Sequence, residues 1–375
     1  VVGLGYVGLP LAIALSKKFE TFGYDISTRR IEELKKKNDI NKDLDRKDFE
    51  NFEIGLSSSI SSLSQCDVII VTLPTPVDAN NLPDLSITEN FLNDLAKILS
   101  DGMVIVFEST VYPGAVNERF SKILEDRSGL KSGRNFGVAY SPERINPGDK
   151  NKDIFNIKKV IAADDEWVRE VIRYVYSSII TAGVVEAPSI KVAEASKLLE
   201  NIQRDVNIAL MNEFSSFCEA IDITATEVIS IAKTKWNFAE YRPGLVGGHC
   251  IAVDPYYLVY KAAEYGVDLP LISTARKINE DMVNRVFSII QRKIAPKRNV
   301  VSVIGISFKP NVRDLRNSKI INVIDLLKDS EAEIQICDPM QEAGTQISNI
   351  SLTDFSKMKK SHVLIMSAGH DEFKE

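Results

Sequence analysis

One stretch gathers residues able to do chemistry: Tyr241-Arg-Pro-Gly-Leu-Val-Gly-Gly-His-Cys-Ile-Ala-Val-Asp-Pro-Tyr-Tyr257. It follows a segment from Ser189 to Arg242 that holds neither Gly nor Pro, so helix gives way there to a shaped loop. Gly244, Gly247 and Gly248 allow positive φ and close approach of a ligand. Cys250 follows beside His249, with Asp254 four residues on. A thiol on such a loop is placed for nucleophilic attack. The plain alternative is a small buried hydrophobe, the common fate of a free cysteine.

Other candidates are scattered along the chain. Glu143 and Arg144 close the apolar run Val138-Ala-Tyr-Ser-Pro-Glu-Arg144, and Thr75 and Thr110 follow two further runs, Asp67–Leu73 and Met103–Phe107. In a doubly wound sheet such loops lie together at the carboxyl ends of the strands, where ligands bind. A threonine after a strand is by itself as readily a helix cap; the shared position is what counts. Lys197 and Asn201 are four apart on a helix and point the same way. Lys309, Arg313 and Arg316 make a local basic cluster suited to phosphate, or simply a solvated basic loop.

The elements that position these residues begin at the first residue. Val1-Val-Gly-Leu-Gly-Tyr-Val-Gly8 fits G-x-G-x-x-G between a strand and a helix predicted over Leu9–Lys18. Thr21–Asp25 reads as the next strand, and Asp25 stands 20 residues after Gly5, the spacing at which a carboxylate meets an adenosine ribose. Gly3 makes the turn, Gly5 admits a pyrophosphate, and Gly8 lets helix and strand pack; Tyr6 and Val7 complete the turn. The helix N-terminus offers N–H groups to phosphates. An acid here repels a 2′-phosphate and so favours NAD over NADP; Arg30, five residues on, tempers that preference.

Pro188 is expected to start a long helix whose apolar stripe is Ala195, Leu199, Ile202, Val206, Leu210, Phe214 and Phe217; such a helix suits a spine between domains and a dimer surface. Asn299–Ile306 then opens a second α/β unit, with a helix over Lys319–Lys328 and a strand over Glu333–Cys337. Gly305 lacks the companion fingerprint glycines, so no second dinucleotide site is expected. The predicted fold is α/β: two Rossmann-like doubly wound domains joined by a long central helix and a small helical domain. The expected boundaries are 1–187, 188–295 and 296–375.

The 375 residues suit two or three domains. With 44% hydrophobic and 26% charged residues, the composition is that of a globular protein, and a net charge of −6 offers no broad attraction for nucleic acid or anionic membrane. No apolar run reaches the roughly 20 residues of a membrane span. Cys66, Cys218, Cys250 and Cys337 are far apart and unpaired in sequence, which fits a reducing cytoplasm and argues against a zinc site or a disulfide framework. The chain opens without Met inside a strand, which implies preceding residues.

Taken together, the motifs resemble the nucleotide-sugar 6-dehydrogenases, the UDP-glucose/GDP-mannose dehydrogenase family, along nearly the full length. The resemblance rests on GLGYVGLP at the start, PTP at 74–76, STVYPG at 109–114 and SPER at 141–144. It continues through the Lys197–Asn201 pair in EASKLLEN, the GGHCIAVDP loop and FKPNVRDLRNS at 308–318. RPGLVGGHC and SPERINPG are similar to the branch that oxidises UDP-N-acetylhexosamines (N-acetylglucosamine or N-acetylgalactosamine) for surface polysaccharides. The resemblance implies that Gly3, Gly5, Tyr6, Val7, Gly8, Asp25, Arg30, Thr75, Thr110 and Arg316 bind NAD. It implies that Glu143, Arg144, Lys197, Asn201, Tyr241, Arg242, Gly247, Phe308 and Lys309 hold the nucleotide sugar. Cys250 would be the nucleophile, supported by Lys197, Glu143, Asn201, Asp254 and Thr110, in a homodimer. Pro147 stands where some UDP-glucose enzymes have a second acid, which favours the N-acetylhexosamine branch.

The residue types give such a site a chemistry. Oxidation of a primary alcohol to an acid takes two hydride transfers, and a thiolate can hold the intermediate aldehyde as a thiohemiacetal. A thioester follows, which water attacks with Glu143 as base. Lys197 and Asn201 would stabilise the oxyanions; Asp254 orients water or takes a proton. Three other readings stay open: a UDP-glucose or UDP-N-acetylmannosamine substrate, a single-hydride hydroxyacid-type dehydrogenase that needs no cysteine, and a catalytically silent sensor on the same fold.

Overall fold

The computed structural model describes residues 1–39, 53–144, 154–248, 250–294, 299–330 and 332–373. Pro147 and His249 lie outside them. The chain divides into two compact units, Val1–Leu199 with Tyr256–Lys261, and Glu200–Pro255 with Ala262–Glu375.

In the first unit the central position belongs to Val2, which bridges in parallel to Tyr24 on one side and Val71 on the other. Beyond Tyr24, β1 (Phe22–Tyr24) pairs with β2 (Gly55–Ser57). Beyond Val71, β3 (Val68–Val71), β4 (Val104–Phe107) and β5 (Gly137–Tyr140) follow in order, every pairing parallel. The order β2-β1-Val2-β3-β4-β5 is that of a doubly wound sheet, and its direction reverses at Val2, where ligands bind in this architecture. Nearly every residue of β3 to β5 is buried, as a parallel sheet covered on both faces requires. Helix α1 (Gly8–Ser16) is apolar on almost every side and buries Leu9 and Leu11 to Leu15. It packs with Ile31 and Leu34 of α2 (Thr28–Lys35) into the unit's core.

The second unit carries a smaller parallel sheet. Strand β6 (Val300–Ile304) lies between β7 (Glu333–Cys337) and β8 (Val363–Met366). A helix, Lys319–Leu327, connects β6 to β7 and buries Ile320, Val323, Ile324 and Leu327. Most predicted helices and strands are found within one or two residues of their expected ends, but β5 stops at Tyr140, short of Glu143, and helix gives way well before Arg242, after a short helix Ala225–Ala232.

The long helix runs from Ile190 to Ala220, 31 residues, or about 46 Å. It starts two residues beyond Pro188, with the Ser189 hydroxyl accepting the Val192 N–H. Its first turns belong to one unit and the rest to the other. The expected apolar stripe does not face inward as a whole: Ile202 is buried, but Leu199, Leu210 and Phe217 are 65%, 56% and 56% exposed. The buried side instead mixes polar Glu194, Lys197, Asn201, Asp205 and Asn212 with Ala193, Leu198, Ile202, Ala209 and Met211. Periodicity finds a stripe without telling which side is covered. Each of these polar side chains meets at least one hydrogen-bond partner, which offsets part of the penalty of burial.

Candidate active site

The first turn is built for a dinucleotide. Gly3 has φ +86, and its N–H donates to the Tyr24 carbonyl at 2.8 Å. A Cβ on Gly8 would stand 1.8 Å from the Gly3 carbonyl oxygen, whereas one on Gly5 would meet nothing within 4 Å. Thus Gly8 seats α1 on the strand, and Gly5 leaves an open approach. No side chain caps α1; the Leu9 N–H already donates to the Gly5 carbonyl at 3.0 Å and Pro10 has none, which leaves the Gly8 N–H at the turn for a phosphate oxygen. Asp25 ends β1; its Oδ2 accepts the Leu4 N–H and its Oδ1 the Ser27 N–H, both at 2.9 Å. Tyr6 and Val7 are half-buried beside it. Arg30 is buried and donates through Nε to the Leu4 carbonyl at 3.0 Å and through Nη1 to Asp39 at 2.7 Å. It braces the turn from behind.

The loops after β3, β4 and β5 are tied to one another. Thr75 Oγ1 donates to the Thr110 carbonyl at 2.7 Å, and Ser109 Oγ to that of Leu73 at 2.5 Å. The Tyr257 hydroxyl donates to the Thr75 and Pro76 carbonyls. The Glu143 N–H donates to the Glu108 carbonyl at 3.3 Å, and Lys197 Nζ donates to the Glu143 carbonyl. Arg144 Nη1 donates to the Lys158 carbonyl.

Sequence reasoning missed what lies beneath. Glu108 is buried, paired with Lys159 at 2.8 Å, and accepts the Tyr176 hydroxyl at 2.5 Å. Burial pushes both Glu108 and Tyr176 up, and the Lys159 ammonium opposes the shift at Glu108. Lys159 Nζ also reaches the Pro142 carbonyl at 3.4 Å, which fixes the turn carrying Glu143. Glu194, from the long helix, accepts the Gly114 and Val116 N–H groups, and burial pushes its carboxyl up to about 7. A lone charge next to an apolar run, as at Glu108 after Val104–Phe107 and Lys159 before Val160, was the available signal.

The second unit holds the cysteine loop. Cys250 is half-buried and in no disulfide, and its carbonyl accepts the Val253 and Asp254 N–H groups at 3.0 and 2.9 Å. This leads into the helix Asp254–Glu264. Asn201 Nδ2 donates to Asp254 Oδ2 at 2.5 Å, both side chains buried. Gly248 has φ +80; its N–H donates to the Asn317 carbonyl at 3.2 Å and its carbonyl accepts Asn317 Nδ2 at 2.9 Å. A Cβ on Gly247 would fall 2.4 Å from that same Asn317 oxygen, and one on Gly248 would fall 2.9 Å from the Phe308 ring. The two glycines therefore let the cysteine loop lie flat against the Phe308–Ser318 loop.

That second loop carries the expected basic residues. Lys309 is half-buried, Arg313 pairs with Glu342 at 3.2 Å, and exposed Arg316 pairs with Asp314 at 2.5 Å. Tyr241 is half-buried; Arg242 is exposed and pairs with Glu240 at 2.6 Å. Asp338, at the end of β7, accepts the Ile306 and Ser307 N–H groups at 2.7 and 3.0 Å and also bonds His370 at 3.2 Å. His370 Nδ1 in turn accepts the Asn311 N–H at 2.9 Å.

Fold and turn thus define a dinucleotide-dependent oxidoreductase. Comparison with known proteins makes the class specific. Residues 1–180, 191–281 and 302–375 match, in turn, the NAD binding, central and UDP binding domains of the UDP-glucose/GDP-mannose dehydrogenase family. The chain is 41% identical to Protein CapL of Staphylococcus aureus and 40% identical to the UDP-N-acetyl-D-glucosamine 6-dehydrogenase of Pseudomonas aeruginosa, in each case over 100% of this chain and 90% of that protein. Among solved structures it resembles the UDP-D-ManNAc dehydrogenase of Pyrococcus horikoshii, with a TM-score of 0.90 at 29% identity over 100% of this chain and 90% of that one. The chain belongs to the UDP-glucose/GDP-mannose dehydrogenase family and is an NAD-dependent nucleotide-sugar dehydrogenase. No helix among the described residues is long and apolar enough to cross a membrane.

Proposed function

We propose that the protein oxidises the C6 hydroxyl of a UDP-N-acetylhexosamine, UDP-N-acetylglucosamine foremost, to the uronate for surface polysaccharide synthesis. The observation that carries this reading is the full-length 40% identity to a UDP-N-acetyl-D-glucosamine 6-dehydrogenase, above the 32% shared with the UDP-N-acetyl-D-mannosamine dehydrogenase of Pyrococcus horikoshii. The test is a panel of UDP-sugars with NAD, followed by NADH absorbance. UDP-N-acetylglucosamine or its galacto epimer should give the highest kcat/KM; a higher value with UDP-glucose or UDP-N-acetylmannosamine would overturn the substrate.

In this reading NAD, held by the Gly3–Gly8 turn, Asp25, Thr75, Thr110 and Arg316, supplies the hydride acceptor for each of two oxidations. Cys250 as thiolate adds to the aldehyde carbon and retains it as a thiohemiacetal, so that no free aldehyde escapes. The second oxidation turns that adduct into a thioester. Glu143 takes a proton from water as it attacks the thioester carbon; the C–S bond breaks, and uronate and thiol are released. Lys197 and Asn201 offset the negative charge on oxygen in both halves, and Asp254 holds Asn201 in orientation. Lys309 and Phe308 hold the nucleotide sugar, with Arg144, Tyr241, Arg242 and Gly247.

The exposed Leu199, Leu210 and Phe217 of the long helix support a homodimer, since apolar side chains aligned on one helix face suit a self-complementary contact. Four cysteines, none of them in a disulfide, support a cytoplasmic setting. The functional domains we assign are 1–187, 188–295 and 296–375.

A further inference from the structure

The polar stripe of the long helix does not stop at Asn201. Asp205 and Asn212 continue it and are 0% and 1% exposed. Across from them stand Arg276 and Asn279 of the helix Pro270–Lys293, 3% and 0% exposed. Four polar side chains in a dry environment are costly unless they bond one another, and these form a chain. Asn279 Nδ2 donates to Asp205 Oδ1 at 2.7 Å and to the Asp205 carbonyl at 2.9 Å. Asn279 Oδ1 accepts Asn212 Nδ2 at 2.8 Å. Asn212 then grips the peptide of Gly244 from both sides: Gly244 N–H donates to its Oδ1 at 2.7 Å, and its Nδ2 donates to the Gly244 carbonyl at 3.1 Å. At the other end, Arg276 pairs with Asp205 at 3.3 Å and reaches the Ile251 carbonyl at 3.5 Å. The chain therefore ends on two peptide groups of one loop, six residues before Cys250 and one residue after it.

We infer that Asp205, Asn212, Arg276 and Asn279 are positioning residues that set the place of the Cys250 thiol, an inference that rests on the reading of Cys250 as nucleophile. Asn212 acts as a peptide surrogate: it presents one N–H and its oxygen to Gly244, as a backbone partner would, and its second N–H to Asn279. The amide of Asn279 has one possible orientation, because its oxygen must face the Asn212 donor and its nitrogen the Asp205 acceptors. A wrong register of the loop would leave Asn212 unanswered, so the chain favours one placement of the cysteine. The chain meets the cysteine loop at Gly244, between Arg242 and Gly247, and Phe308 and Lys309 are not among its four members, so nucleotide binding should suffer less than turnover.

The test uses the full-length protein with NAD and UDP-N-acetylglucosamine, and the variants N279D, N212A, D205N and D205A. N279D is isosteric, yet it sets a carboxylate oxygen against Asp205 in place of a donor. It should lower kcat by about tenfold or more, as small misplacements at reacting atoms do. The Kd for UDP should change less than kcat does, because Phe308 and Lys309, proposed to hold the nucleotide, lie outside the four residues. The rate of Cys250 alkylation by iodoacetamide, read by peptide mass, should shift in N279D and N212A, which a merely structural role would leave unchanged in the folded fraction. D205N, which keeps an acceptor for Asn279, should retain more activity than D205A. Unchanged kcat and alkylation in N279D would overturn the inference while leaving the nucleophile intact. Full activity of C250S would overturn the nucleophile itself. If N279D and N212A both failed to fold, the chain would be a stability element and the positioning role would be wrong.

Discussion

The two Rossmann-like units solve the same local problem in different ways. Each has a strand ending in a glycine of positive φ, Gly3 at +86 and Gly305 at +71. Each has an acid at the end of the next strand that turns back to accept N–H groups of that first turn, Asp25 from Leu4 and Asp338 from Ile306 and Ser307. In the first unit the helix begins at Gly8, five residues after Gly3, and Asp25 stays half-buried with an open approach at Gly5. In the second, the helix waits until Lys319, and the residues between form the loop of Phe308, Lys309 and Arg313. Asp338 is only 5% exposed and is bonded to Ser307 and His370 as well. A short glycine turn with a reachable acid makes a dinucleotide site; the same plan, its acid locked and its turn lengthened, makes a basic loop for an anion.

The sharpest way to break this contrast is at Gly8. A Cβ there would meet backbone at 1.8 Å, and no flexible atom can give way. G8A should weaken NADH binding by about a hundredfold or more, the scale expected when helix and phosphate-binding turn separate. UDP binding should change less than about threefold, since independent sites are additive. Fluorescence titration of NADH and calorimetry of UDP separate the two; parallel losses would erase the distinction. The converse is Lys309→Ala, which should weaken UDP by about tenfold through one charge-assisted contact and flatten its salt dependence, with NADH unaffected.

A smaller effect is expected at Asp25. Asp25→Ala should relax the preference for NAD over NADP by about tenfold, as loss of ribose hydrogen bonds and of repulsion toward a 2′-phosphate implies. Equal use of both cofactors by the wild type would contradict the role of the acid. The smallest effect concerns Asp338. Burial works against its charge, but the hydrogen bond from His370 and the Met340 and Ser307 N–H groups outweigh it, holding the carboxyl below its usual value. A depressed carboxyl contributes stability that is present above its unfolded pKa and lost as pH falls through the folded one. D338N should therefore flatten the acid side of the Tm-against-pH curve, by a few degrees at most. A wild-type melting temperature that rises on acidification through the carboxylate range would reverse the sign.

Much of this was legible in the chain. The Gly3–Gly8 turn, Asp25 and the strands around them are local in sequence, and their spacing carries their geometry. The absence of companion glycines at Gly305 likewise pointed to a different second turn. The long helix was found, but its covered side was not: Leu199, Leu210 and Phe217 share a period with Ile202, and only tertiary partners decide which stripe is inside. Those partners are distant in sequence. Glu108 meets Lys159 and Tyr176 across 51 and 68 residues, and Asn212 meets Asn279 across 67. Polar residues at 197, 201, 205 and 212 repeat with the helix, and a stripe of hydrogen-bonding side chains of that length was the signal for a buried network.

The covalent role of Cys250 is tested most directly by trapping. Glu143→Gln keeps the shape and the N–H bond to Glu108 but removes the base, so hydrolysis slows while the steps before it continue. After incubation with NAD and UDP-N-acetylglucosamine, the peptide carrying Cys250 should gain the mass of the UDP-sugar uronyl group as a thioester, and Glu143→Gln combined with C250S should gain none. An unmodified Cys250 in the trapped variant, together with normal turnover by C250S, would contradict the account.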